Sequence, residues 1–181
     1  MKNNKVKSLV FSGLLLAIGV LLPQVFHFSG VPNAGPVFLP MHISVFLAGF
    51  MVGPIWGLGV GVLTPVLSFI VTGGAMPPIP ILYFMMIELA TYAFVAGLCS
   101  RNFKLNPYFS QIIAMICGRG VYALVLLVFG VLLGMKVPPV TAVWTAIVTG
   151  LPGIIIQLVI IPPIVYALKK GGFVVAASKS N

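Results

Sequence analysis

The chain has 181 residues, of which 60% are apolar and only 6% are charged, whereas a soluble domain carries about a quarter charged residues. This composition excludes a water-soluble domain, because a chain this short must expose much of its surface and has almost nothing polar to expose. The formal charge of +9 lies in short stretches without an aromatic and basic patch, which argues against a nucleic-acid partner and for a membrane protein.

Six apolar segments follow one another along the chain, separated by short breaks rich in Pro, Gly and Asn. The first, at about 8–28, follows a basic N-terminus as a signal peptide would, but no small-x-small cleavage site follows it, so we predict an uncleaved helix. The others are predicted at about 37–52, 55–72, 81–100, 108–134 and 140–168. A bilayer core needs about 20 helical residues. The second and third segments are short and are therefore expected to be tilted, kinked or shielded by neighbours.

Helices are the default for all six segments, because exposed backbone cannot be satisfied in lipid. Alternating strand patterns are absent, which excludes a barrel, and no long-period repeat is visible. The predicted fold is therefore an all-α integral membrane protein, a compact bundle of six transmembrane helices that forms one domain over residues 1–181.

The basic residues provide an independent check on the number of crossings. With six crossings, the N-terminus, the loop after the fourth segment and the C-terminus share one side of the membrane. Only Lys136 falls on the other side. This unequal distribution of Lys and Arg predicts cytoplasmic N- and C-termini. With five or seven crossings the basic residues would no longer lie mainly on one side. The residues on the shared side are Lys2, Lys5, Lys7, Arg101, Lys104, Lys169, Lys170 and Lys179.

Small residues at four-residue spacing mark places where helix backbones can approach each other. We expect most of them to serve packing inside this protein, and the two cysteines, Cys99 and Cys117, to be packing residues as well. The spaced small residues are Gly13 and Ala17 in the first segment, Gly53, Gly57 and Gly61 around the third, and Gly130 and Gly134 in the fifth.

Arg119 is the most informative residue, because it lies near the middle of the fifth segment in the sequence Cys-Gly-Arg-Gly. A charge at that depth costs about 2.5–3.5 kcal/mol on insertion scales, so it must face protein, a cavity or a counter-charge. Glu88 lies inside the fourth segment. The two residues either pair and fix the bundle, or line a substrate cavity where Arg119 holds a carboxylate with two hydrogen bonds. Both interpretations stay open and can coexist.

Other polar or amphipathic side chains could join this pair. They are Gln157 in the sixth segment, Tyr83 and Tyr92 in the fourth, Tyr122 one turn after Arg119, His27 and Asn33 at the end of the first, and His42 at the start of the second. The tyrosines could equally be interfacial or core residues. A lone histidine such as His42 is more often a structural hydrogen-bonding residue than a ligand contact.

The sequence carries no signature of an enzyme. A Walker phosphate loop is missing, so ATP hydrolysis by that route is excluded. A single acid excludes paired-carboxylate catalysis and carboxylate-held metal clusters, and two distant histidines do not make a zinc site. We therefore predict a binding protein with no cofactor and no metal.

Several stretches are similar to the substrate-binding S components of energy-coupling-factor (ECF) vitamin transporters. The most specific is GPVFLPMHISVFLAGF at 35–50, continuing through Gly53 and Pro54, and further matches are LTPVLS at 63–68 and ELATY at 88–92. The resemblance covers nearly the whole chain. It agrees with the chain length, the six segments and the cytoplasmic termini.

This resemblance implies a subunit that binds a vitamin or related micronutrient from outside a prokaryotic cell. It implies two kinds of partner, a membrane coupling subunit (the T component) and two cytoplasmic ATPase subunits, and a protein that reorients in the membrane to release its ligand. The family also carries an Ala-x-x-x-Ala type motif in its first helix that contacts the coupling subunit. Gly13 and Ala17 occupy that spacing here, with Gly in place of the first Ala.

The ligand is not named by any signature in the sequence. The Pro-Met-His stretch resembles pantothenate-type and neighbouring groups, and a cavity-facing Arg119 favours a carboxylate, so pantothenate is the leading hypothesis. Hydroxymethylpyrimidine, cobalamin, niacin and pyridoxine-type molecules compete with it. Two other classes also remain: a stand-alone channel or secondary transporter, which usually carries inverted repeats, and a structural subunit that binds no small molecule.

Overall fold

The computed structural model describes residues 2–28, 34–75, 77–132, 134 and 137–175. Within these ranges the regular structure is helical. The helices are α1 (Lys2–Phe28), α2 (Ala34–Phe38), α3 (Pro40–Val52), α4 (Pro54–Val71), α5 (Ile81–Arg101), α6 (Pro107–Leu127), α7 (Ala142–Thr149) and α8 (Leu151–Lys170), with a π-helical turn at Val128–Leu132 after α6.

Six of the described segments are long and apolar enough to cross a membrane, which confirms the predicted all-α fold with six spans. The second span joins α2 to α3 and covers Gly35–Val52. The sixth differs from the continuous helix expected at 140–168, because the chain breaks at Gly150 and only α8 has the length of a span. Gly150 ends α7, and Pro152 occupies the first turn of α8, where its missing N–H is harmless.

Helix α3 forms the centre of the bundle, so the short second segment is shielded by its neighbours. Eleven of its thirteen residues are buried, and it packs against α1, α4, α5 and α8. Phe46 and Phe50 are fully buried in its core-facing surface. A helix that is apolar all round is expected to be enclosed by other helices, as this one is.

Glycines bring the backbones of α3, α4 and α5 into direct contact. A Cβ atom added at Gly57 would lie 2.8 Å from Gly49 Cα, and one added at Gly97 would lie 2.8 Å from Gly49 O. A Cβ at Gly49 would overlap the backbone carbonyl of Ala93. We call Gly49, Gly57, Ala93 and Gly97 the glycine seam. Gly57 therefore serves internal packing, as small residues in membrane helices often do.

One end of the bundle, which we call the basic end, holds the start of α1 and the end of α8. The ends of α3, α5 and α8 meet there, since Arg101 Nη2 donates to Met51 O at 2.5 Å and Lys169 Nζ donates to Ser100 Oγ at 3.2 Å. The backbone N–H of Val175 also donates to Met51 O, at 2.9 Å. Lys2 and Lys179, by contrast, have no described side chains, and Lys136 lies outside the described residues.

Candidate ligand cavity

A cavity of about 440 Å³ lies at the end of the bundle opposite the basic end. Its walls come from the last turns of α1, the α2–α3 junction, the loop before α5, the first turns of α5, the second half of α6 and α7. The volume falls within the range of about 300–1,000 Å³ that is usual for small-molecule sites. The described side chains and loops of that end thus enclose space for a ligand of vitamin size.

The junction between α2 and α3 builds one wall of the cavity. Leu39 adopts a left-handed backbone conformation with φ 49°, and its carbonyl accepts a hydrogen bond from Gln157 Nε2 at 3.2 Å. A Cβ atom added at Gly153 would lie 2.7 Å from the carbonyl oxygens of Val37 and Phe38. The first turns of α8 therefore hold the wall in place through close backbone approach and one side-chain hydrogen bond.

Arg119 and Glu88 form an ion pair in the wall of the cavity. Arg119 Nη1 lies 2.8 Å from Glu88 Oε1, and the two side chains are 14% and 7% exposed. Both residues line the cavity. The pairing and the cavity position that the sequence left open as alternatives therefore occur together, and each charge is compensated at its membrane depth.

Tyr92 supports this pair from behind. Its hydroxyl donates to the same Glu88 Oε1 at 2.6 Å, and its ring stacks on Phe46 at a centroid distance of 5.1 Å. A Cβ atom at Gly118 would overlap the Tyr92 ring, so the glycine before Arg119 makes room for it. Tyr92 itself is 2% exposed and does not line the cavity. It orients Glu88 and thereby Arg119.

His42 borders the cavity next to this group. Its ring lies 5.4 Å from the Tyr92 ring, and the side chain is 4% exposed. Neither ring nitrogen has a hydrogen-bond partner among the described residues. The structural hydrogen bond that a lone histidine usually makes is therefore not found in this part of the chain.

The other predicted site residues divide between the cavity and other places. Tyr122 lines the cavity, with its ring edge-on to Phe84 at 6.3 Å. Gln157 reaches the wall only through its bond to Leu39, and Tyr83 is 54% exposed and does not line the cavity. Asn33 lies outside the described residues, as does the side chain of His27.

Sequence reasoning missed the apolar wall of the cavity. An apolar residue in a membrane protein carries no signal that separates a ligand contact from a lipid contact, so these positions could not be identified. A weak signal existed in the loop before α5, where Pro77, Pro78 and Pro80 stand close together between two apolar segments. The missed lining side chains include Pro23, Leu39, Met41, Pro77, Pro78, Ile81, Met85, Ala146 and Thr149.

The predicted docking pair lies on a different surface from the cavity. Gly13 and Ala17 are exposed on α1, and nothing lies within 4 Å of a Cβ atom added at Gly13. Val10 and Leu21, which flank them on the same helix face, are each 62% exposed. This face of α1 is open, because α1 packs on α3 and α4 with its other side.

Comparison with known proteins places the chain in a family. The family model for the substrate-specific component of ECF transporters matches residues 7–165, which covers the six spans except for the first residues of the first and the last residues of the sixth. Searches among curated proteins and among solved structures gave no match.

Proposed function

This chain belongs to the substrate-specific components of ECF transporters, and we propose that its ligand is a water-soluble vitamin or vitamin precursor that carries a carboxylate. The family makes it a multi-pass membrane subunit for transport, not an enzyme. The observation that carries the proposal is the Arg119–Glu88 pair in the wall of a cavity of about 440 Å³.

Arg119 is the group best suited to a carboxylate. A guanidinium has five N–H donors in a planar fork, and the contact with Glu88 involves Nη1. The remaining donors can turn toward a ligand while Tyr92 keeps Glu88 in place. Our leading ligand is pantothenate, whose carboxylate would meet Arg119 and whose dimethyl group would lie against Met41, Met85 and the prolines of the wall.

A second candidate is a neutral heteroaromatic ligand such as hydroxymethylpyrimidine or pyridoxine. The specific observation in its favour is the charge balance of the pair, since Glu88 and Arg119 together leave the wall with no net charge. Glu88 Oε1 takes both Arg119 and Tyr92, whereas Oε2 makes no such bond with the described residues. An amino or hydroxyl group of a neutral ligand could donate to that second oxygen.

A binding panel on the purified protein separates these ligands. Titration calorimetry with pantothenate, niacin, hydroxymethylpyrimidine, pyridoxine and cobalamin should give heat with pantothenate. It should give none with cobalamin, because the complete molecule is much larger than the cavity. Heat with hydroxymethylpyrimidine or pyridoxine but not with pantothenate would replace our leading ligand by the second candidate. No heat with any vitamin, and no small molecule co-purifying by mass spectrometry, would contradict a vitamin-binding role.

We further propose that the basic end faces the cytoplasm of a prokaryotic cell and the cavity faces outward. The support is the excess of Lys and Arg at that end. In a variant with Cys99 and Cys117 replaced by alanine, an impermeant maleimide should label Thr141→Cys in intact cells. It should label Lys5→Cys only after permeabilisation, and both positions are exposed. Labelling of Lys5→Cys in intact cells would reverse the orientation.

Transport in this proposal needs the partners of the family, a membrane coupling subunit and two ATPase subunits. The chain carries no Walker loop, so the energy of ATP must come from other subunits. Uptake in cells that lack every coupling subunit and ATPase subunit would instead favour a stand-alone transporter.

A further inference from the structure

His42 is a buried polar group that the ion pair of the cavity does not use. Both of its ring nitrogens are covered by protein and lack a hydrogen-bond partner among the described residues. Burying a polar group without a partner is costly, so such a group in a packed helix calls for an explanation. Its neighbours make no bond with it: Glu88 Oε1 takes Arg119 and Tyr92, the Tyr92 hydroxyl donates to Glu88, and Glu88 Oε2 does not bond the ring.

The position of His42 supplies the explanation. The ring borders the cavity two residues after the start of α3, beside Tyr92 and on the same wall as the ion pair. A neutral imidazole offers one N–H donor and one acceptor nitrogen. The nitrogens are covered in this state, so the ring must turn about its side-chain torsions before a ligand can reach them.

We propose that His42 is a specificity-determining residue that hydrogen-bonds an uncharged polar group of the ligand, a hydroxyl, an amide or a ring nitrogen, next to the group that engages Arg119 and Glu88. This inference rests on the proposed ligand cavity and deepens it. The polar side chains share one wall, whereas Pro23, Met41 and Met85 supply apolar surface. The site therefore recognises a compact head with two kinds of polar group on an apolar body, and rejects plain alkyl carboxylates.

The same geometry predicts opposite effects of one substitution on stability and on binding. His42→Leu removes the unpartnered nitrogens, so the ligand-free protein should unfold at the same temperature as the wild type or at a higher one. Its affinity for pantothenate should fall at least tenfold. His42→Asn keeps a donor and an acceptor and should recover part of the affinity. Ile43→Leu changes the next residue of α3, which does not line the cavity, at nearly constant volume, and should keep the affinity within about threefold.

Thermal unfolding of the ligand-free protein in detergent and calorimetry with pantothenate test the proposal. A lower unfolding temperature for both His42→Leu and His42→Phe would show a structural role and overturn it. Wild-type affinity in His42→Leu together with lost affinity in Arg119→Gln would overturn it while the proposed function stands. If the wild type does not bind pantothenate, the molecule that co-purifies with it is compared by mass spectrometry. Its loss from His42→Leu but not from Ile43→Leu supports the role of His42, and its retention in His42→Leu overturns it.

Discussion

Replacing Arg119 by alanine should weaken the binding of a carboxylate ligand by more than about 2 kcal/mol, or roughly 30-fold in affinity. Charge-assisted hydrogen bonds are the strongest polar contacts available to this cavity. Calorimetry with pantothenate, or with the vitamin that the panel identifies, measures the loss. Unchanged affinity would leave Arg119 with a structural role only.

Arg119→Ala also leaves Glu88 without its ion-pair partner, so a matched control is needed to separate an effect on ligand binding from an effect on stability. Breaking a buried pair by removing one partner costs about 3–5 kcal/mol of stability, because it leaves an unpaired charge. The double variant Glu88→Gln with Arg119→Gln removes both charges and keeps side chains that can hydrogen-bond. We expect its unfolding temperature to lie above that of Arg119→Ala while its affinity for a carboxylate stays low.

The single variant Glu88→Gln distinguishes a carboxylate ligand from a neutral one. The amide oxygen still accepts from Tyr92, while the full charge of Arg119 becomes available to the cavity. A carboxylate ligand should bind as tightly as before or more tightly. A neutral ligand that donates to Glu88 should instead lose affinity, which would favour the second candidate.

Replacing Ala17 by tryptophan should abolish transport and leave ligand binding intact. Ala17 is exposed on α1, away from the described cavity lining, so an indole there meets no internal neighbour. It would block the close helix approach that small residues allow, and with it the docking of the coupling subunit. Uptake of radiolabelled vitamin in cells with all subunits, beside calorimetry on the purified variant, measures both activities.

Val159→Trp provides the matched control for bulk, because Val159 is 64% exposed on α8. Transport by that variant should resemble the wild type. Loss of ligand binding in Ala17→Trp would place Ala17 in the internal packing of the bundle, and normal transport would remove α1 from the docking surface.

The sequence was sufficient to predict the spans because length and hydropathy decide them. It also marked Arg119 and Glu88, since a charge in the middle of an apolar helix needs a partner or a cavity. The break at Gly150 was missed, because α7 is as apolar as the span that follows it. Glycine and proline are in any case frequent in membrane helices.

The inward and outward faces of the helices were harder to predict, for a physical reason. In water the buried face of a helix is apolar and the exposed face is polar, but in lipid both faces are apolar. Phe46 is fully buried and Leu9 is 61% exposed, yet nothing in their chemistry separates them. The sequence likewise could not show that Tyr83 is 54% exposed and outside the cavity lining, or that Gln157 donates to the Leu39 carbonyl.

The glycine seam limits the conformational changes by which this protein can release its ligand. Helices α3, α4 and α5 touch backbone to backbone and form a rigid unit, since sliding one past another would bring their carbonyl groups and α-carbons into steric clash. Opening a passage through the middle of the molecule would require these three helices to separate. Two movements cost less free energy. The short helices α2 and α7 can move relative to the rigid unit, or the unit can tilt as one body within the membrane.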